Sequence, residues 1–568
     1  MIEKLTSVLE HAFVNMGYDK ERASVSVSSR PELCDYQINS VFSIAKSEGK
    51  NPIELGEEIV SKLQEIENFS DYFKSIEFCK PGFINITVSD KLITESLNEQ
   101  KNRDNAGILK ITEEKTAVVD YGGPNIAKPL HVGHIRPAII GQSIYNILNI
   151  KGYNTIGDVH LGDFGLQIGL CIYGLKERGI KPNEVTIELL QDIYPKMSAK
   201  YKEDENSEFA NTARKMTADL QSGNEEYTEY YKYIYEESIK DIKRIYDYLD
   251  VHFDYWYAES DSHPYIEPLV NHFKEKGVLE TDDGALIVRV EKEDDNKNMP
   301  PLIIQAKSGA YLYATSDVAT IYQRIEDFKP NYILYVVDDR QRLHFEQVFR
   351  ACEKSGLTEG IVLEHDYFGT INGPDGKPFK TRSGETLRLD ELIEMTKNIF
   401  ISKKESNKDM KDEDVNKIVN SILKFADLQN NREKNYIFDI EKFADVNGKT
   451  GPYILYTALR IKKIIDANPV VEGLLDNEIY NEYDRNLRMH LLNLNNAFDK
   501  AANERMPHYI AEYVYNLCVL TNNFYQNNHI SSLEDETKKN NWIKLLMYTY
   551  DVINICLKAL VIELPSEM

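Results

Sequence analysis

Cysteine is scarce in this chain: six in 568 residues (Cys34, Cys79, Cys171, Cys352, Cys518 and Cys556), with no Cys-x-x-Cys pair. That scatter argues against a structural zinc site and against a disulfide framework. Uninterrupted apolar runs of about 18 residues are missing as well, so no segment reads as a membrane-spanning helix. The first residues, Met1-Ile-Glu-Lys-Leu5, open an amphipathic helix without the pattern of a secretory leader, and a cytoplasmic location is expected. Positive charge is in deficit, with 67 Lys and Arg against 92 Asp and Glu, a net charge of −25. A uniformly acidic surface would repel phosphate, so a nucleic-acid partner would need local cations. The acid is unevenly spread: Glu203–Glu208 and Glu291–Asp295 concentrate it, whereas Arg460, Lys462 and Lys463 gather base. A bipolar surface is expected.

What is present is more telling. The length implies roughly three or four domains, and an apolar fraction of 42% is ordinary for a globular chain. The most informative stretch is Asp120-Tyr-Gly-Gly-Pro-Asn-Ile-Ala-Lys-Pro-Leu-His-Val-Gly-His134. It ends an apolar run, Thr116–Asp120, that reads as a buried strand. It passes a glycine turn and precedes a helical pattern through Ile139, Ile140, Ser143, Ile144 and Ile147. Strand, turn and helix N-terminus form an anion-binding geometry, because free N–H groups and the positive end of the helix dipole face the ligand. His131 and His134 add imidazole donors, and Gly133 leaves room for a nucleotide against the backbone. An ATP site follows.

His131-Val-Gly-His134 resembles the His-Ile-Gly-His signature of class I aminoacyl-tRNA synthetases, and Pro124–Arg136 resembles the form found in arginyl-tRNA synthetases. The fold implied is α/β: a doubly wound parallel-sheet (Rossmann-type) catalytic domain with a helical insertion, an N-terminal α/β domain and a C-terminal all-helical anticodon-binding domain. The expected boundaries are 1–112, 113–440 (insertion about 175–298) and 441–568. The first domain includes the alternating strand Phe83–Val88 and resembles the extra domain that touches the corner of the tRNA. The sheet is expected to resume with Leu302–Gln305, Tyr311–Tyr313 and Tyr332–Val337.

Adenylate formation needs an in-line attack on the α-phosphate and cations for the charge on the leaving pyrophosphate. Gly376–Thr386 carries Lys377, Lys380 and Arg382 and resembles the degenerate second signature loop of many arginyl enzymes. That loop's usual second lysine is absent, and the resemblance implies that Lys128 compensates. Lys196-Met-Ser-Ala-Lys200 matches the signature better as text but falls in a charged helical pattern, where solvated lysines are the plainer reading.

A guanidinium is planar and always charged, so carboxylates are its natural selectors. Asp120 and Asp317 are the two candidates, although Asp317 is also compatible with a helix cap. By resemblance, Tyr313 lines the arginine pocket, and Asn125 and Gln341 contact the amino acid. Many relatives carry serine where this chain has Gly122-Gly123, which puts one hydroxyl contact in doubt. A pocket that pairs a guanidinium discriminates without an editing domain.

On the helix after Gly451, Tyr453, Tyr456, Arg460 and Lys463 share a face, an aromatic–cation mix suited to unstacked bases. The ending Ile562–Met568 resembles the family's C-terminus, which implies a place for Met568 near the anticodon loop. The implied substrates and partners are L-arginine, ATP with Mg2+ and arginine tRNA. A monomer, no membrane association and no protein-held metal are expected, and activation itself is expected to need bound tRNA. Two rivals stand beside this reading: a class I synthetase for another amino acid, and a non-catalytic tRNA-binding paralogue.

Overall fold

Strand Thr116–Tyr121 (β1) is buried from Ala117 onward, as a central strand covered on both faces must be. In the computed structural model, which describes residues 1–28, 30, 32–296, 298–377, 379, 387–403, 409–468 and 471–568, β1 is the middle of five strands. Its companions are Asn154–Leu161 (β2), Tyr255–Ala258 (β3), Tyr332–Val336 (β4) and Val362–His365 (β5), in the order β5-β4-β1-β2-β3. All four neighbouring pairs are parallel. The winding reverses between β1 and β4, which opens a crevice outside their carboxyl ends, the usual ligand position in such sheets.

Two segments expected in this sheet lie elsewhere. Leu302–Gln305 pairs antiparallel with Ala285–Val288, which in turn pairs with Glu280–Asp282 in a separate three-stranded sheet. Its alternating burial suits a half-covered sheet rather than a parallel core. The hairpin turns at Asp283-Gly284, both with positive φ (46° and 85°), as a tight two-residue connection requires. Tyr311–Tyr313 is not a strand either: Tyr313 begins helix Tyr313–Phe328.

The span 175–298 is not one helical insertion. Helices Ile187–Glu203, Glu208–Gln221 and Glu225–Tyr248 come first, β3 then rejoins the main sheet, and helix His263–Glu275 follows it. β3 escapes a periodicity reading because it is four residues at a sheet edge, shortly after the highly charged helix Glu225–Tyr248. Within the insertion Lys196 bonds Asp192 at 2.5 Å and Lys200 lies 4.6 Å from the Phe209 ring centroid, so the decoy lysines serve their helices.

The chain forms two compact units: residues 109–459 with 498–512 and 556–568, and residues 1–108 with 460–497 and 513–555. The region 441–568, expected as one domain, is therefore divided between them. Its regular elements are helices, including Gly451–Asp466, His508–Asn527 and Glu536–Ala559. The second unit contains a four-stranded antiparallel sheet in which Phe83–Val88 buries Ile84, Ile86 and Val88 completely. There Arg485 chelates Asp35 at 2.9 and 2.8 Å, and Trp542 donates to the buried Asp484. No helix among the described residues is long and apolar enough to cross a membrane.

Candidate active site

The turn after β1 is shaped by close approach. Gly122 has φ +68°, and a Cβ at Gly123 would collide with the carbonyl oxygen of His160. Any side chain at 123 would thus have to displace the backbone of β2. The chain then pairs with residue 162 through Ile126 N–H to Gly162 O (3.0 Å) and Gly162 N–H to Pro124 O (3.1 Å). This fixes exposed Asn125 at the mouth of the crevice.

His131 and His134 are arranged by the backbone. The Gly133 N–H donates to His131 Nδ1 (3.1 Å), and the His131 N–H donates to His134 Nδ1 (3.0 Å). With both Nδ1 atoms accepting, each neutral ring carries its proton on Nε2. Burial pushes His134 down to about 3, with His131 and Lys128 adding to the shift. Burial also lowers His131, helped by the positive charges of Lys128 and Arg340. Lys128 itself lies 5.5 Å from the ring centroid of Tyr194. Helix Ile135–Ile150 (α1) begins directly after this turn.

Residues 387–389 return to the same turn: Val132 donates to Leu387 O and Leu389 donates to Leu130 O, each at 3.0 Å. The segment that ends the expected cationic loop is thus hydrogen-bonded to the first signature. Lys377 is exposed, its N–H bonded to Asp375. Lys380 and Arg382 lie outside the described residues.

Opposite the turn, helix Tyr313–Phe328 (α2) presents Tyr313 and Asp317, which are one turn apart. Asp317 sits beyond the cap position, and its Oδ2 lies 2.5 Å from Nε2 of His344 on helix Arg342–Lys354 (α3). The His344 ring stands 4.9 Å from that of Tyr313. Gln341 precedes α3, its N–H bonded to Asp338 O. Partial burial raises the Tyr313 hydroxyl, and the carboxylates of Asp317, Glu259 and Asp120 raise it further. Burial likewise pushes Glu259 up to about 6, with Asp317 and Asp163 contributing. Asn125, Glu259, Tyr311 and Tyr313 line a cleft of about 930 Å³.

Asp120, expected as a free selector, already has a partner: its Oδ2 accepts from Nη2 of Arg324 at 2.6 Å. Sequence reasoning missed Glu259 and His344, while the Gly162-Asp163-Phe164-Gly165 turn was expected, by resemblance, to shape the floor of the site. Buried Asp163, within the glycine-rich turn after β2, accepts from Tyr231 (2.6 Å) and from the N–H and hydroxyl of Ser260, and so fixes the turn that carries Glu259. Glu259 follows the unseen strand β3. His344 was in view three residues from Gln341, but only the fold reveals its pairing with Asp317.

Away from the crevice, Tyr456 is 46% exposed on helix Gly451–Asp466, where Tyr453 and Arg460 are half-buried and Lys463 is exposed. The Arg460 guanidinium lies 4.2 Å from the Tyr525 ring centroid. Half-buried Met568 ends a tail held by Ser566, which donates twice to Asp414 at 2.6 Å.

A sheet of this winding, with His131-Val-Gly-His134 at its point of reversal, defines the catalytic fold of a class I aminoacyl-tRNA synthetase. The model for tRNA synthetases class I (R), catalytic domain, matches residues 95–440. Those for the arginyl tRNA synthetase N terminal domain and the DALR anticodon binding domain match 1–88 and 454–568. The chain belongs to the arginyl-tRNA synthetases. It is similar to the arginine–tRNA ligase of Alkaliphilus oremlandii, 39% identical over 591 aligned positions and all of both chains. That of Agathobacter rectalis is 38% identical over 602 positions, again with full coverage of both. Among solved structures, Plasmodium falciparum arginyl-tRNA synthetase aligns with TM-score 0.81 at 25% identity, covering 100% of this chain and 99% of that one. The Thermus thermophilus arginyl-tRNA synthetase (TM-score 0.80, 18% identity, full coverage of both) shares the fold.

Proposed function

We propose that the chain attaches L-arginine to arginine tRNA in two steps at the crevice between β1 and β4. The arginine carboxylate attacks the α-phosphate of ATP, giving arginyl-adenylate and pyrophosphate. A hydroxyl of the tRNA's terminal ribose then attacks the carbonyl and releases AMP. The observation that carries this reading is the anionic pocket: Glu259 lines one cleft with Tyr313, and Asp317 stands one turn further along the helix that Tyr313 begins, held by His344. A planar cation is the side chain such a pocket selects.

In this reading Asp317, Glu259 and Tyr313 hold the guanidinium, with Asp120 behind them, and Asn125 and Gln341 take the amino-acid backbone. His131 and His134 offer their Nε2–H donors to phosphate oxygens, Gly133 lets the nucleotide approach, and Lys128, Lys377, Lys380 and Arg382 neutralise pyrophosphate. Mg2+ enters on the ATP phosphates, as that ion commonly does; among the described residues no cluster of three or more His, Cys, Asp or Glu would hold it. Tyr453, Tyr456, Arg460, Lys463 and Met568 meet the anticodon arm, while residues 1–112 meet the tRNA corner. The enzyme works as a cytoplasmic monomer.

The test is competition in charging assays. Arginine analogues that keep the guanidinium should inhibit, whereas citrulline, isosteric but neutral, should leave the carboxylates unpaired and fail. Equal inhibition by citrulline would remove the anionic pocket from the account.

A further inference from the structure

Arg324 has no role in the reading above, yet it is the most confined cation beside the pocket. It is wholly buried, as is Asp158 on β2. Its Nε donates to Asp158 Oδ2 at 2.7 Å and its Nη2 to Asp120 Oδ2 at 2.6 Å. The guanidinium also lies 5.2 Å from the ring centroid of Tyr335 on β4. One side chain of α2 thus meets three adjacent strands of the sheet, close to the carboxyl ends of β1 and β4.

Its position along α2 matters as much. Arg324 follows Asp317 by seven residues and Tyr313 by eleven, about two and three helical turns, so all three project from one face. The helix that carries the pocket's tyrosine and aspartate is therefore registered on the sheet by this arginine.

The contacts are also lopsided. Asp120 gives Arg324 only Oδ2, and its side chain keeps 11% exposure where Arg324 keeps none. That leaves Oδ1 of Asp120 as the oxygen Arg324 does not hold, near the carboxyl end of β1 where the crevice opens. Meanwhile Nη1 of Arg324 and Oδ1 of Asp158 are buried and have no hydrogen-bond partner among the described residues. A group kept only for stability would satisfy its donors or give way to apolar packing, because a buried ion pair contributes little net stability. The arrangement instead holds one carboxylate in one orientation.

We propose that Arg324 is a positioning residue for substrate recognition: it grips Asp120 by Oδ2 and turns Oδ1 toward the guanidinium of the incoming arginine. One carboxylate is then shared between the chain's own arginine and the substrate's. The proposal rests on Asp120 belonging to the arginine pocket, and the experiment separates the two claims.

Charging kinetics would be measured with full-length protein, tRNA, ATP and Mg2+ for Asp120→Asn, Arg324→Lys and the double variant. Lysine keeps the charge but lacks the fork that reaches both aspartates. Each single change should raise KM for arginine roughly tenfold, the loss of one charge-assisted hydrogen bond, and leave KM for ATP within about twofold. If Arg324 acts through Asp120, the double variant has the same KM for arginine as Asp120→Asn alone. Additive effects, or a parallel rise in both KM values, would reduce Arg324 to a structural role and overturn the proposal. No effect of Asp120→Asn would instead remove Asp120 from the pocket. Should Arg324→Lys not fold, a crystal structure of the unaltered protein with arginine decides. Oδ1 of Asp120 on the substrate with Oδ2 still on Arg324 is expected; a substrate guanidinium away from Asp120 overturns the proposal.

Discussion

Asp317 and His344 face each other across two helices, with Oδ2 of the aspartate 2.5 Å from Nε2 of the histidine. The contact is short, as charge-assisted hydrogen bonds are, and it holds the carboxylate beside Tyr313 at the crevice. Asp317→Asn removes the charge and should weaken arginine binding by about a hundredfold, the scale of a lost buried charge pair. His344→Ala leaves the charge but releases its orientation, so a smaller rise in KM for arginine is expected. Steady-state charging kinetics check both. Equal losses in the two variants would mean that orientation contributes as much as charge.

Glu259, in the proposed pocket, should give arginine binding a pH dependence. Burial pushes its carboxyl up to about 6, whereas a cationic substrate favours the ionised form. Below about pH 6 arginine must displace a proton, and above it none. KM for arginine should therefore fall as pH rises through 6 and then level, while Glu259→Gln should have a high KM without that slope. An unchanged slope in the variant would assign the titration to another group.

His134 should contribute nothing to that profile, because burial holds it down to about 3 and its ring stays neutral across the working range. In the proposed reading its task is the Nε2–H donor. His134→Gln keeps a donor near that position, whereas His134→Asn and His134→Ala lose it, and one preorganised donor is worth roughly 10²–10³ in rate. Pyrophosphate exchange with tRNA present should rank the variants with Gln above Asn and Ala. The reverse order would mean that Nδ1, and hence the turn, is the part that matters.

Arg136, two residues after His134, is buried with its Nε donating to Asp427 (2.9 Å) and its Nη1 to the carbonyls of Gly369 (2.6 Å) and Lys434 (3.2 Å). Arg136→Met should cost about 3–5 kcal/mol, because it strands a buried carboxylate. Arg136→Met with Asp427→Leu should recover part of the loss. Denaturant unfolding measures both, and a double variant less stable than the single would show that the carbonyl contacts dominate.

Much of this was legible in the sequence for a physical reason. Thirteen residues in order from Pro124 to Arg136 leave little freedom, and β1, the signature turn and α1 lie where that stretch predicts them. The pocket was only half legible. Asp317 and Tyr313 lie one helical turn apart, within reach of a local pattern. Glu259 reaches them only through β3, a four-residue edge strand, and Arg324 could be tied to Asp120 only by the fold, 204 positions away. Leu302–Gln305 misled because strand character in a sequence does not specify which sheet a strand will join.

Aminoacylation of total tRNA with each standard amino acid in radiolabelled form, in ATP and Mg2+, tests the central claim most directly. The account predicts that arginine alone is charged, and that Asp317→Ala abolishes this while the protein still binds tRNA. Charging of any other amino acid would contradict the pocket. Tight tRNA binding without any charging would contradict catalysis itself.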